Sequence, residues 1–259
     1  MFNFFKKTEK RVETEKKVIR EEDFKDVTPV ATYFKNETGV SFDAQTSILR
    51  NKLMTFCRQR EIESFTKLLQ LIHSDKKIKQ ELTDELTTNE TFFYREFKQI
   101  ENLVKLIKAS HSSVRILCAP SATGEEPYSI AIALLEAGVN SSSFSIVGID
   151  INLDALSKAH KAVYKERNVR NLSQSIIMKY FTQTDNKYIL NNKIKALVSF
   201  KQFNIFDDSL RQLGKFDFIF SRNMLIYFDK ETKLKAKAIL ENLRKNDNHE
   251  IFFGHADLF

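Results

Sequence analysis

The chain has 259 residues, 42% of them apolar and 29% charged, and a formal net charge of +7. That apolar share supports a buried core and excludes a wholly disordered chain. No run reaches the roughly eighteen apolar residues of a membrane span, and Met1–Lys7 is too short and too soon charged for a signal peptide. Cys57 and Cys118 sit in apolar contexts without ligand-like spacing. They exclude a disulfide scaffold or zinc site and suit a reducing, cytoplasmic setting.

Residues 1–20 form a highly charged leader to which no function attaches. Residues 21–86 read as a small helical domain. Its first helix runs from Glu22-Asp23-Phe24 to Tyr33-Phe34 and is interrupted at Pro29, with a turn at Asn36–Gly39. From Ala44 to Arg60, Leu49, Leu53, Phe56 and Cys57 share one helical face. Lys52 and Arg58 point away from that face, while Arg50 and Arg60 flank it. Ser64 caps a further helix whose apolar face is Phe65, Leu68, Leu69 and Ile72. Residues 1–44 carry 9 basic and 9 acidic side chains, whereas residues 45–80 carry 8 basic and 3 acidic ones. So local an excess implies an acidic partner: nucleic acid, an anionic membrane or an acidic protein surface.

Val114–Leu117 reads as a buried strand, and Ile130–Leu135 as part of a helix packed on a sheet. Between them lies a tight turn of small residues, Cys118 to Gly124. Strand, turn and helix open a nucleotide-binding α/β unit, in which small residues let a ligand approach the backbone at the helix N-terminus. Phe144–Asp150 is a second strand ending in an acid, the position from which such units bind both ribose hydroxyls. Glu125 and Glu126 begin the intervening helix, where the dipole favours negative charge. Ile151-Asn152-Leu153-Asp154 begins a further helix that runs through Ala155, Leu156 and Ala159 to Tyr164. Lys187–Leu190 and Ile194–Phe203 pair as a hairpin turning at Asn191-Asn192. Phe216–Phe220 is a near-continuous apolar strand from the middle of a parallel sheet, with Ser221-Arg222-Asn223 at the ligand-binding end and Tyr227 one helical turn beyond. The helix Lys233–Leu243 turns Leu234, Ala238 and Leu243 inward, and Ile251–Gly254 is the last strand, leaving a short sheet edge.

Thr123-Gly124-Glu125-Glu126-Pro127-Tyr128-Ser129-Ile130-Ala131 resembles the signature of the CheR-type chemoreceptor glutamate methyltransferases. Three further stretches match that family in the family's order: Thr87–Glu96, Phe216–Asn223 and Met224–Asp229. The resemblance spans roughly residues 24 to 255. It implies a doubly wound S-adenosylmethionine-dependent methyltransferase domain over 87–259, an all-helical domain over 21–86 and a small β-subdomain inserted at about 180–203. The implied reaction moves a methyl group from S-adenosyl-L-methionine to receptor glutamates for chemotactic adaptation, giving γ-methyl esters and S-adenosyl-L-homocysteine, with no metal. By the same resemblance Asn89, Thr91, Arg95, Gly124, Glu125, Glu126, Asp150, Asn204, Ile205, Arg222 and Asn223 hold the cofactor, Glu126 being preferred over Glu125. Arg95 and Tyr227 shape methyl transfer. Arg50, Lys52, Arg58 and Arg60 meet the acidic cytoplasmic part of methyl-accepting receptors, so the enzyme is cytoplasmic and recruited to membrane receptor arrays.

Two departures from the family pattern stand out. Pro120 lies in the small-residue turn and donates no N–H, and Asn152 replaces a second acid, leaving Asp150 alone for the ribose. Two rival readings remain. A base N-methyltransferase places an Asn/Asp-Pro-Pro-aromatic box after the fourth strand, where this chain has Ser221-Arg222-Asn223-Met224. A non-catalytic cofactor-binding scaffold on the receptor array shares every motif, and only turnover separates it.

Overall fold

The structure, a computed structural model, describes residues 24–110, 112–246 and 249–257, so the charged leader lies outside it. Four helices come first: α1 (Thr28–Thr38), α2 (Thr46–Gln59), α3 (Phe65–Ser74) and α4 (Lys76–Leu86). Pro29 does not interrupt a helix. It sits in the first turn of α1, where its missing N–H has no intrahelical partner to lose. The turn expected at Asn36 is still helical, and α1 closes only at Gly39, whose left-handed φ of 77° suits glycine. Leu49, Leu53, Phe56 and Cys57 of α2 are buried, as their spacing implies. The Ser64 hydroxyl accepts the Lys67 N–H at 3.0 Å and starts α3. These faces close on Phe24, Val30, Phe34 and Leu86 as one core, each large side chain stabilising it by about 1.5–3 kcal/mol.

The chain continues through α5 (Phe97–Ser110), β1 (Val114–Cys118), α6 (Glu125–Glu136), β2 (Phe144–Asp150) and α7 (Leu153–Lys161). Next come β3 (Val163–Tyr164), α8 (Glu166–Val169), α9 (Gln174–Tyr180), β4 (Phe181–Thr184), β5 (Lys187–Leu190) and α10 (Asn192–Lys195). It ends with β6 (Val198–Gln202), β7 (Phe218–Ser221), α11 (Lys230–Leu243) and β8 (Ile251–Phe253). Five strands form a parallel sheet in the order β6-β2-β1-β7-β8. Alternate residues face opposite layers. Ile116, Phe218 and Phe220 join a core with Ile100 of α5 and Ile130 of α6, whereas Leu117, Ile149 and Ile219 join Ala236 and Leu240 of α11. The sequence of strands reverses direction between β1 and β7, and a doubly wound sheet opens its ligand crevice at that point.

Three local expectations are corrected. Lys187–Leu190 does not pair with Ile194–Phe203. β5 instead lies antiparallel between β3 and β4, and β6 joins the main sheet. The reason is Asn191, whose side chain accepts the Ile194 N–H at 3.1 Å and caps a helical turn. The hairpin turn falls at Asp185, which takes a φ of 50°. The helix after Asp150 stops at Lys161, Ala162 turning left-handed before β3, so Tyr164 is strand. In α11, Leu234 is 54% exposed and Ala238 is also exposed. The inner face is Ala236, Leu240 and Leu243, spaced four and three residues apart.

The helical cluster is fastened over the C-terminal ends of the strands. Asp84 of α4 accepts the Leu153 N–H at 2.8 Å, and buried Asn152 donates to Asp84 O (3.0 Å) and Thr87 Oγ1 (2.7 Å). Ser41 N–H bonds Tyr227 O at 2.8 Å, and Lys35 pairs with Asp229 at 2.9 Å. None of the described helices is long and apolar enough to cross a membrane.

Candidate active site

Two adjoining cavities of ≈ 270 and ≈ 330 Å³ open at the reversal point, together the size of a cofactor site. They meet at Asn89, Pro120, Ala122, Asn223, Ile226 and Tyr227. The first chamber is largely apolar. Ile149, Asp150 and Ile205 line it from the sheet, and Val40, Phe42, Ile48 and Lys52 from the helical cluster. The second is polar, with Thr91, Arg95, Ser121, Glu126 and Arg222 in its wall.

Asp150 ends β2 and is 5% exposed. Oδ2 accepts the Ala122 N–H at 2.8 Å and Oδ1 accepts the Asn152 N–H at 2.9 Å, and the Ile151 N–H adds to them, which holds the carboxylate without exhausting its acceptor capacity of about four lone pairs. Burial pushes its pKa up to about 6, against those N–H bonds, with Asp84 adding a smaller upward push. The Ala122 N–H is delivered by the turn that Gly124 closes. Gly124 has a φ of 91°, and a Cβ there would meet Ala159, Phe200 and Tyr128 at 3.0–3.1 Å, so only glycine fits.

Glu126 and Arg222 form an ion pair inside the second chamber, both less than 10% exposed. Arg222 also donates to Arg95 O at 2.8 Å, which ties the segment before α5 to the end of β7. Burial raises the Glu126 pKa, and Arg222 opposes that rise. Among the described residues Glu126 Oε1 has no hydrogen-bond partner beyond the weak Cys118 thiol beside it, and Ser121 Oγ has none. Two orphaned polar atoms in one wall are an acceptor site awaiting a donor.

Of the residues expected to hold the cofactor, Asn89, Thr91, Arg95, Glu126, Asp150, Asn204, Ile205, Arg222 and Asn223 line one or both chambers. Gly124 and Glu125 line neither. Glu125 is fully buried behind the turn, with Oε2 accepting from Thr123 Oγ1 (2.6 Å) and Oε1 from Asn168 Nδ2 (2.7 Å), so it braces the fold and does not face either chamber. Asn204 donates one amide N–H to Glu37 O (2.6 Å) and accepts the Phe206 N–H on Oδ1 (3.0 Å), which fixes its amide in the chamber wall. Arg95 is half-buried and donates to Glu90 O at 3.1 Å, and Tyr227 is half-buried where the chambers join.

The four basic residues separate. Arg60 pairs with Glu81 at 2.6 Å and lies 3.8 Å over the Phe56 ring, and Arg50 donates to Phe24 O at 3.1 Å. Lys52 donates to Glu85 O at 3.0 Å and borders the first chamber, while Arg58 is exposed.

Asp257 is a site residue that motif reading misses. It is fully buried and accepts the N–H groups of Asn223, Ile226 (3.2 Å) and Gly254 (3.1 Å), pinning Asn223 at a φ of 59°. Gly254 allows this approach, because a Cβ would come within 2.8 Å of Asp257 and 2.9 Å of Asn223 N. Among the described residues no three metal-ligating side chains converge.

Residues 89–259 match the family model described as CheR methyltransferase, SAM binding domain. The chain is 36% identical over 222 residues to a chemotaxis protein methyltransferase of Campylobacter jejuni, a match covering 85% of this chain and 84% of the relative. It is 32% identical over 240 residues to chemotaxis protein methyltransferase 2 of Vibrio cholerae, covering 87% and 82%. A chemotaxis protein methyltransferase of Borreliella burgdorferi is 29% identical over 238 residues, covering 86% and 84%.

Proposed function

The chain belongs to the CheR methyltransferase family, and from that membership we propose how its two chambers methylate glutamate side chains of chemoreceptors with S-adenosyl-L-methionine. The observation that carries the reading is the pairing of wall chemistry with the parts of that cofactor. A carboxylate with free lone pairs stands in an apolar chamber, matching a ribose beside a flat base. An orphaned Glu126 oxygen and Ser121 hydroxyl stand in the polar chamber, matching an α-ammonium group. The residues present therefore fit the cofactor. Asp150 holds the ribose, Ile205 and Asn204 wall the base, and Glu126, kept in place by Arg222, receives the amino group.

The bound cofactor supplies an electrophilic methyl on a sulfonium that is already a good leaving group. A glutamate near neutral pH is ionised and needs no general base. The protein's task is alignment and exclusion of water. Arg95 presents a planar fork to the incoming carboxylate at the second chamber, and Tyr227 presents its ring and hydroxyl where the chambers join. The helical cluster roofs the first chamber through Val40, Phe42 and Ile48.

A pH dependence follows from Asp150. Its pKa of about 6 without cofactor means the carboxylate takes up a proton as pH falls through that value, losing acceptor capacity for ribose hydroxyls. Cofactor affinity is expected to fall below that pH and to level off well above it. Calorimetry across the range checks this, and Asp150→Asn is expected to flatten the profile.

The receptor side is also proposed. Exposed Arg58 and cleft-side Lys52 give α2 its outward positive charge, which steers an acidic receptor surface toward this helix. Arg58→Glu is expected to weaken binding of a receptor cytoplasmic fragment several-fold and flatten its salt dependence, with cofactor affinity unchanged. Salt slopes equal to the parent's would refute steering by this residue.

A further inference from the structure

A second cation stands at the mouth of the polar chamber, outside everything assigned above. Phe92 lines that chamber, and the Arg170 guanidinium lies 3.7 Å from its ring centroid. Arg95 approaches the same ring at 5.7 Å, so one aromatic platform carries both guanidinium groups.

Arg170 follows directly on α8, and α8 is stitched to the chamber wall. Asn168 O accepts the Phe93 N–H at 2.8 Å, and Asn168 Nδ2 reaches Glu125 at 2.7 Å and Thr91 O at 3.4 Å. Arg170 Nη1 donates to Arg167 O at 2.6 Å. Stacking on one side and this bond on the other fix the guanidinium plane. Among the described residues no carboxylate pairs with Arg95 or Arg170, although the exposed Glu90 also borders the chamber. With Nη1 given to a backbone carbonyl, each guanidinium keeps its in-plane Nε and Nη2 N–H groups for a carboxylate in bidentate geometry. The Arg170 side chain is exposed and already ordered, so binding loses little rotamer freedom.

We propose that Arg170, braced on Phe92, is a specificity residue that binds a second carboxylate of the substrate chain, on a residue flanking the glutamate being methylated. Arg95 takes the reacting carboxylate and Arg170 its acidic neighbour. The assignment rests on the glutamate-methylation reading.

The test uses the full chain, S-adenosyl-L-methionine and a receptor cytoplasmic fragment whose methylated glutamate has been mapped. A second fragment has the acidic residues within about four positions of that glutamate changed to their amides. Arg170→Ala is expected to raise KM for the first fragment about fivefold, the upper range for an exposed ion pair, with kcat and cofactor Kd unchanged. Arg170→Lys is expected to recover part of the loss. The amidated fragment is expected to cost the parent the same factor and Arg170→Ala nothing more. Equal KM for Arg170→Ala and parent, or losses that simply add, would overturn the assignment alone. Failure of the parent to methylate either fragment would overturn the glutamate reading, and this assignment with it.

Discussion

Arg222→Ala is expected to destabilise the fold by about 3–5 kcal/mol, the usual cost of removing one partner of a buried ion pair. Glu126 would be left in a site where burial already pushes its pKa upward and only Arg222 and weaker donors oppose that rise. The bond from Arg222 to Arg95 O would vanish with it and loosen the segment that carries Thr91 and Arg95. Denaturant unfolding of parent and variant measures the loss. Replacing both partners by apolar residues of similar volume is expected to cost much less than either single change, since no charge is then stranded. A single variant as stable as the parent would mean that water reaches Glu126 and the pair is not buried in solution.

Asp150→Ala is expected to weaken S-adenosyl-L-methionine binding at least tenfold. Each charge-assisted bond from the carboxylate to a ribose hydroxyl is worth about 1.5–3 kcal/mol before compensation, and about 1.4 kcal/mol is tenfold in Kd. The same change frees the Ala122 and Asn152 N–H groups, so the turn above the chamber loses its anchors as well. Calorimetry on the folded variant separates the two effects when paired with Asp150→Asn, whose amide keeps one acceptor oxygen. Unchanged affinity in a folded Asp150→Ala would remove the ribose role.

The parallel strands were legible because strands buried on both faces leave continuous apolar runs, as in Val114–Leu117 and Phe216–Phe220. The place of Asp150 beside the chamber was legible because an acid closing such a run stands at the C-terminal end of a strand, where these sheets open their crevice. Glu125 and Glu126 were harder to tell apart. Both sit in the first turn of α6, where the dipole favours either, and only packing shows that one faces Asn168 and the other Arg222. Asn191-Asn192 misled because asparagine serves turns and helix caps equally, and the choice fell to the Ile194 N–H. Leu234 misled because a three-four apolar rhythm can be started at the wrong residue. Asp257 leaves no trace in the sequence beyond Gly254, three residues before it. Its partners Asn223 and Ile226 are 34 and 31 residues away, and only the fold brings them together. Lys52 reads as one of four basic residues facing a partner, and its place beside the first chamber shows only when α2 is laid against the ends of the strands.

Methyl transfer to receptor glutamates through this double chamber leaves a base-labile ester on the receptor. The most direct measurement incubates the full chain with methyl-labelled S-adenosyl-L-methionine and a receptor cytoplasmic fragment, then treats the washed product with base. The expected result is label on the fragment, released as methanol by base and mapped to glutamate side chains, with Asp150→Ala nearly inactive at cofactor levels that saturate the parent. Cofactor binding without any base-labile label on the fragment, or label that survives base, would contradict it.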